Sequence, residues 1–116
     1  MGSTNCLIGY ENEDRKYVAT RVHYDGYPSG IMPFVEHASI DEVTFWITSA
    51  WLKGGIKHLS KERKPIYWSE SLTTPDPRYC VTDKFDSELF RRHHVPFAYM
   101  KDLRGEWLIL ALSFPK

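Results

Sequence analysis

The sequence predicts an α+β domain, with a small, mostly antiparallel sheet of N- and C-terminal strands packed on one main helix at about residues 40–53. Three observations predict it. Residues 16–24 alternate β-formers with polar residues, as a strand covered on one face does. Ser39-Ile40-Asp41-Glu42 reads as a capping box, and Val43, Trp46, Ile47, Ala50 and Trp51 follow at helical spacing. Toward the other end, residues 97–101 and 106–112 bracket Asp102-Leu103-Arg104-Gly105, the best hairpin signal in the chain.

In chain order, the apolar run Cys6-Leu7-Ile8-Gly9-Tyr10 forms a first strand, and the charged turn at 11–16 leads into the second. Asp25-Gly26 ends that strand, because glycine tolerates positive φ and aspartate bonds its own nearby backbone. Pro28, Ser29-Gly30 and Pro33 make 25–33 an irregular connection, with a short helical turn at 34–37. The 40–53 helix closes on Gly54-Gly55, suited to a C-cap. Residues 56–64 read as a basic surface loop or frayed helix with only Ile56 and Leu59 to bury. Ile66-Tyr67-Trp68 reads as a short strand, 69–84 as a long polar loop containing Thr73-Thr74-Pro75-Asp76-Pro77, and 85–90 as helix or strand. The apolar run at 107–112 reads as a central strand.

A chain of 116 residues, 42% hydrophobic, fits one domain spanning 1–116. Net charge is zero, but residues 1–50 carry −4 and residues 51–116 carry +4. That asymmetry is modest and reads first as solvated faces. Cys6 and Cys80 have no Cys-x-x-Cys spacing and no signal peptide before them, which points to a reducing, cytoplasmic setting. No apolar run approaches the roughly 18 residues of a membrane span, so no membrane association is expected.

No residue pattern carries a recognisable chemistry. Zinc sites present paired ligands at short spacing, and none of the five histidines is so placed, so neither metal nor cofactor is expected. The two thiols read as core residues rather than nucleophiles. On a continuing strand, His23 and Asp25 would face one side and could share acid–base work; the blander reading has Asp25 capping its own turn while His23 satisfies a buried hydrogen bond. The basic residues of 57–64 and 91–94, interleaved with Tyr67, Trp68 and Phe90, suit phosphate pairing and base stacking, although the neutral chain favours solvated loops.

The segment His23-Tyr24-Asp25-Gly26-Tyr27-Pro28 resembles the signature of a family of small proteins encoded in tailed-bacteriophage genomes, marked by a His-Trp-Asp-Gly-Tyr-Pro-like turn; Tyr24 stands where Trp is usual. Phe34-Val35-Glu36-His37, the 40–53 helix, Gly54-Gly55-Ile56-Lys57-His58-Leu59, Tyr99 and Gly105-Glu106-Trp107 are similar to the family's later features. Residues 60–95 have no counterpart in it, which makes them the expected seat of specialisation. The resemblance implies an accessory phage product in the cytoplasm of an infected bacterium. Such a product binds and inhibits or redirects a host protein, antiviral defence components among them, without catalysis. Interface cores favour Tyr, Trp and Arg, and the tentative binding residues are His23, Asp25, Tyr27, Tyr67, Trp68, Arg91 and Arg92. The alternatives are a binder of a nucleotide or nucleic acid, with His23, Asp25, Tyr27, Arg91 and Arg92 converging on the ligand, and a small hydrolase using His23 and Asp25. Phe45 and Leu52 are left for a second subunit should the chain form a homo-oligomer.

Overall fold

The computed structural model of the chain describes residues 4–59, 64–71, 75–77 and 79–111, and only the backbone of residues 87, 89 and 90. Lys61, Glu62 and Arg63 of the basic segment, Thr73 and Thr74 of the polar loop, and Leu112 lie outside the described residues. The elements run β1 (Cys6–Glu11), β2 (Tyr17–Val22), α1 (Pro28–Val35), α2 (Ile40–Leu52), β3 (Ile56–Leu59), β4 (Pro65–Tyr67), β5 (Cys80–Thr82), α3 (Ser87–His93), β6 (Phe97–Lys101) and β7 (Trp107–Ala111).

The fold is α+β, but the expected architecture is corrected: among the described residues the sheet has seven strands, in the order β4-β3-β2-β1-β6-β7 with β5 also paired to β2. It is mixed. β1 runs parallel to β6 and β2 parallel to β3, while β1–β2, β2–β5, β3–β4 and β6–β7 are antiparallel. Three strands come from the middle of the chain. β3 escapes a period-two reading because its register with β4 shifts between Ile56 and His58, so Ile56 and Leu59 are both buried without alternating. β5 lies inside the supposed loop, where a strand of only three residues carries little pattern of its own. β7 is an edge strand, not a central one, with Ile109 48% exposed. A run of apolar residues reads alike at either position, and only pairing distinguishes them.

Nor does one helix cover the sheet. The stretch read as irregular contains α1, which starts on Pro28 at N1, where a missing N–H costs nothing, and buries Ile31 and Val35 one turn apart. Pro33 forfeits one internal hydrogen bond, and burial of that stripe outweighs the loss. α2 opens on its capping box: Ser39 Oγ accepts from the Glu42 amide at 3.1 Å, and Glu42 Oε1 accepts from the Ser39 amide at 3.0 Å. Val43, Trp46, Ile47 and Ala50 face the core, whereas Trp51 stacks on Tyr79 with ring centroids 5.2 Å apart. α3 resolves the helix-or-strand ambiguity near 85–90. Among the described residues, no helix is long and apolar enough to cross a membrane.

Both faces of the sheet are packed. Cys6, Ile8, Val18, Val22 and Tyr99 meet the apolar stripes of α1 and α2, while Leu7, Ala19, Ala98 and Met100 meet Val95 and Phe85 on the other side. That two-sided cover explains why β1 reads as a continuous apolar run. The stretch around Asp76 closes over the end of α2: the Asp76 amide donates to Trp51 O at 2.8 Å, and the buried Thr20 hydroxyl donates to the Asp76 carboxylate.

Burial pushes the Cys6 thiol and the Tyr99 phenol well above their ordinary values near 9.0 and 10.0, and for Tyr99 the neighbouring Cys6 adds to the shift. Above those ordinary values the unfolded chain has released both protons and the folded chain still holds them. The unfolded state then binds fewer protons, so stability falls as pH rises past about 9. Urea midpoints measured from pH 8 to 11 should decline, and Cys6→Ala should remove the earlier part of the decline. A profile with the same slope in wild type and variant would refute the assignment.

Candidate functional site

The 23–28 turn is built into the scaffold through Gly26. Its amide donates to Thr4 O at 2.7 Å, and its carbonyl accepts from the buried Tyr99 hydroxyl at 2.7 Å. A Cβ on Gly26 would lie 2.7 Å from the Asn5 carbonyl carbon, so close approach to β1 demands glycine there. The left-handed residue is Asp25, with φ 58°, a conformation aspartate tolerates better than most. β2 ends at Val22 and the backbone turns at Asp25, so His23 and Asp25 are not placed on one face of a continuing strand. Asp25 Oδ1 accepts from the Tyr27 hydroxyl at 3.2 Å, which with the carboxylate's charge holds the Tyr27 phenol above its usual range. His23 Nδ1 is buried and has no hydrogen-bond partner among the described residues, so the expected buried hydrogen bond is absent at that atom.

What surrounds His23 is aromatic. Beyond β2, the His23 and Tyr24 amides donate to Ile56 O and Lys57 O at 3.0 and 2.9 Å, continuing the alignment with β3. The Trp68 amide donates to Gly55 O at 3.2 Å and the Ser69 amide to Lys53 O at 3.0 Å, which brings the end of β4 alongside. The His23 ring then meets Tyr24 edge-on at 4.4 Å and Trp68 edge-on at 5.1 Å. Burial, then the charge of Arg21, holds the imidazole below its usual range, which favours the neutral ring. Tyr24 and Trp68 remain 38% and 44% exposed.

The same strand continues this surface over the opposite face. Tyr67 packs toward α2, its hydroxyl 3.5 Å from Trp46 O, and with Phe45, Trp46, Pro65, Asp41 and Glu42 it borders an open groove of about 710 Å³. Phe45 is 67% exposed. Lys53 Nζ lies 4.8 Å from the Tyr67 ring centre and Lys57 Nζ 5.3 Å from that of Trp68. Among the described residues, no strand pairs the outer edge of β4.

The structure thus brings His23, Tyr67 and Trp68 to one end of the sheet; Tyr27 adjoins through the turn and bonds Asp25. Arg91 and Arg92 lie elsewhere. Arg91 pairs with Glu88 at 3.5 Å, and Arg92 borders a cavity with Lys16, at the start of β2. His23 lies beyond the other end of that strand, roughly 20 Å away at about 3.3 Å per residue. The five residues expected to converge on a nucleotide do not. Sequence reasoning missed Lys53 and Phe45 as surface neighbours of β4, since only strand pairing sets them there; the signal for Lys57 was present in the basic segment but attached to a loop.

Fold and surface together define an α+β protein with a mixed sheet and an aromatic, cation-flanked strand edge. No family model, curated protein or solved structure matches the chain.

Proposed function

We propose that this chain is a binding protein that engages a partner protein along the β4 edge, without catalysis. The observation that carries the reading is the concentration of rings there: exposed Trp68 and Tyr24 on one side of β4, exposed Phe45 with the half-buried Tyr67 on the other. Buried at an interface, such rings supply most of the binding energy, and an open strand edge adds main-chain hydrogen bonds to an incoming extended segment. The ammonium groups of Lys53 and Lys57 favour a segment that also carries carboxylates.

The resemblance of the 23–28 turn to a tailed-phage family supplies the setting we propose. The protein acts in the cytoplasm of an infected bacterium and inhibits or redirects a host protein, with antiviral defence components the leading class of target.

The test is capture from bacterial lysate by wild type and by Trp68→Ala in parallel, followed by titration of the captured protein. Trp68→Ala should weaken binding by about thirtyfold or more, the hot-spot scale of about 2 kcal/mol, and should leave the urea midpoint nearly unchanged. Amide exchange at residues 65–68 should slow on binding. A partner that binds both proteins equally, or no partner for the folded protein, would remove this reading.

A further inference from the structure

A second surface, at the opposite end of β2, has a different chemistry. The antiparallel register of β2 with β5 pairs Tyr17 with Thr82, so Lys16 and the residues following Thr82 leave the sheet side by side. The Thr82 hydroxyl accepts from the Lys84 amide at 3.1 Å, a local turn that folds Lys84 back beside Lys16. α3 then returns Arg92 to the same place. Lys16, Lys84 and Arg92, with Thr82, Asp83 and Glu88, line a cavity of about 380 Å³.

Its charges are unbalanced. None of Lys16, Lys84 and Arg92 forms an ion pair among the described residues. Of the two acids, Glu88 is paired with Arg91, outside the cation trio, which leaves Asp83 alone against three positive groups. Three cations from three separate segments thus line one cavity against two carboxylates, and an anion joining them there offsets their mutual repulsion. Alongside, Tyr17 and Phe85, the chain neighbours of Lys16 and Lys84, pack ring on ring at 5.6 Å.

We infer that this cavity binds a phosphate-bearing small molecule, with Lys16, Lys84 and Arg92 holding its phosphoryl oxygens. Its volume lies at the small end of the roughly 300–1,000 Å³ of ligand pockets, enough for one or two phosphoryl groups. Arg92 supplies a planar fork matched to two phosphoryl oxygens, and the lysines supply point charges. The site shares no residue with the β4 surface, so it stands or falls separately from the partner-binding reading.

Calorimetric titration of the whole protein with inorganic phosphate, pyrophosphate and adenosine diphosphate, at constant ionic strength, tests the inference. Saturable one-to-one binding of pyrophosphate is expected, weaker for inorganic phosphate. Diphosphate ester binding equal to pyrophosphate would mean that the phosphoryl groups alone are read, and tighter binding would add the base to the recognised group; both support the site. Arg92→Gln and Lys84→Gln should each weaken pyrophosphate binding about tenfold or more, while Arg104→Gln, which removes the same charge elsewhere, should change it little. Arg92→Lys should recover part of the loss. These side chains are at the surface, and an unchanged melting temperature confirms that each variant is folded. Absence of saturable binding, or equal loss in the Arg104 and Arg92 variants, would overturn the assignment.

Discussion

Tyr99→Ala should destabilise the protein by about 3–5 kcal/mol, the scale for removing a large ring from a packed core. Among the described residues, Tyr99 is the largest fully buried side chain, on the face covered by α1 and α2. It also ties β6 to the 23–28 turn, since its hydroxyl donates to Gly26 O. Tyr99→Phe separates the two roles. It keeps the ring and leaves a buried carbonyl without that donor, for an expected cost of about 1–3 kcal/mol. Urea unfolding of both variants measures the division. If Tyr99→Phe costs nothing, the hydroxyl does not hold the turn, and its attachment rests on the backbone bonds of His23, Tyr24 and Gly26.

Gly9→Ala should cost about 3 kcal/mol or more, at the upper end of what overpacking a core does. A Cβ at Gly9 would lie 2.1 Å from Val18 O and 2.8 Å from the Ala19 Cα, on the central β1–β2 pair. Those atoms are backbone in a ladder flanked by β6, so they cannot swing aside as a flexible side chain would. The strands must part locally, with loss of hydrogen bonds on both sides. The urea midpoint reads the loss, and amide exchange along β1 and β2 should rise with it. A shift below about 1 kcal/mol would mean that the strands separate there at little cost, contrary to close packing on both faces.

The order of strands was the least legible part of the chain. Local pattern is sufficient where an element carries its own boundaries and spacing, as α2 does with its capping box and stripe; β2 forms as a strand, but it is covered on both faces and not on one, with Ala19 packed opposite Val18 and Val22. Local pattern fails where burial comes from a neighbour distant in sequence. β5 is a strand because Tyr17, Val18 and Ala19 offer an edge to Thr82, Val81 and Cys80. α1 is a helix because a sheet lies beneath Ile31 and Val35, despite two prolines and a glycine.

The candidate surface was legible in part. Tyr67, Trp68 and His23 stood out by residue type, Tyr and Trp because interface cores favour them and His23 by its place in the 23–28 turn. Their meeting was not, because it depends on parallel pairing of β2 with β3 and on β4 returning beside it. The same topology separates His23 from Arg92, which residue type alone had grouped for a nucleotide.

The sequence by itself determined the α+β class, the α2 helix with its cap, the 97–111 hairpin and the dependence of the core on large rings, because each follows from local spacing and side-chain chemistry. Tertiary structure decided the mixed order of the sheet, the second covering helix, and the placing of His23 and Trp68 at one end of β2 and of Lys16, Lys84 and Arg92 at the other. Those depend on long-range backbone pairing, whose hydrogen bonds are the same for every residue type and so leave almost no trace in the sequence.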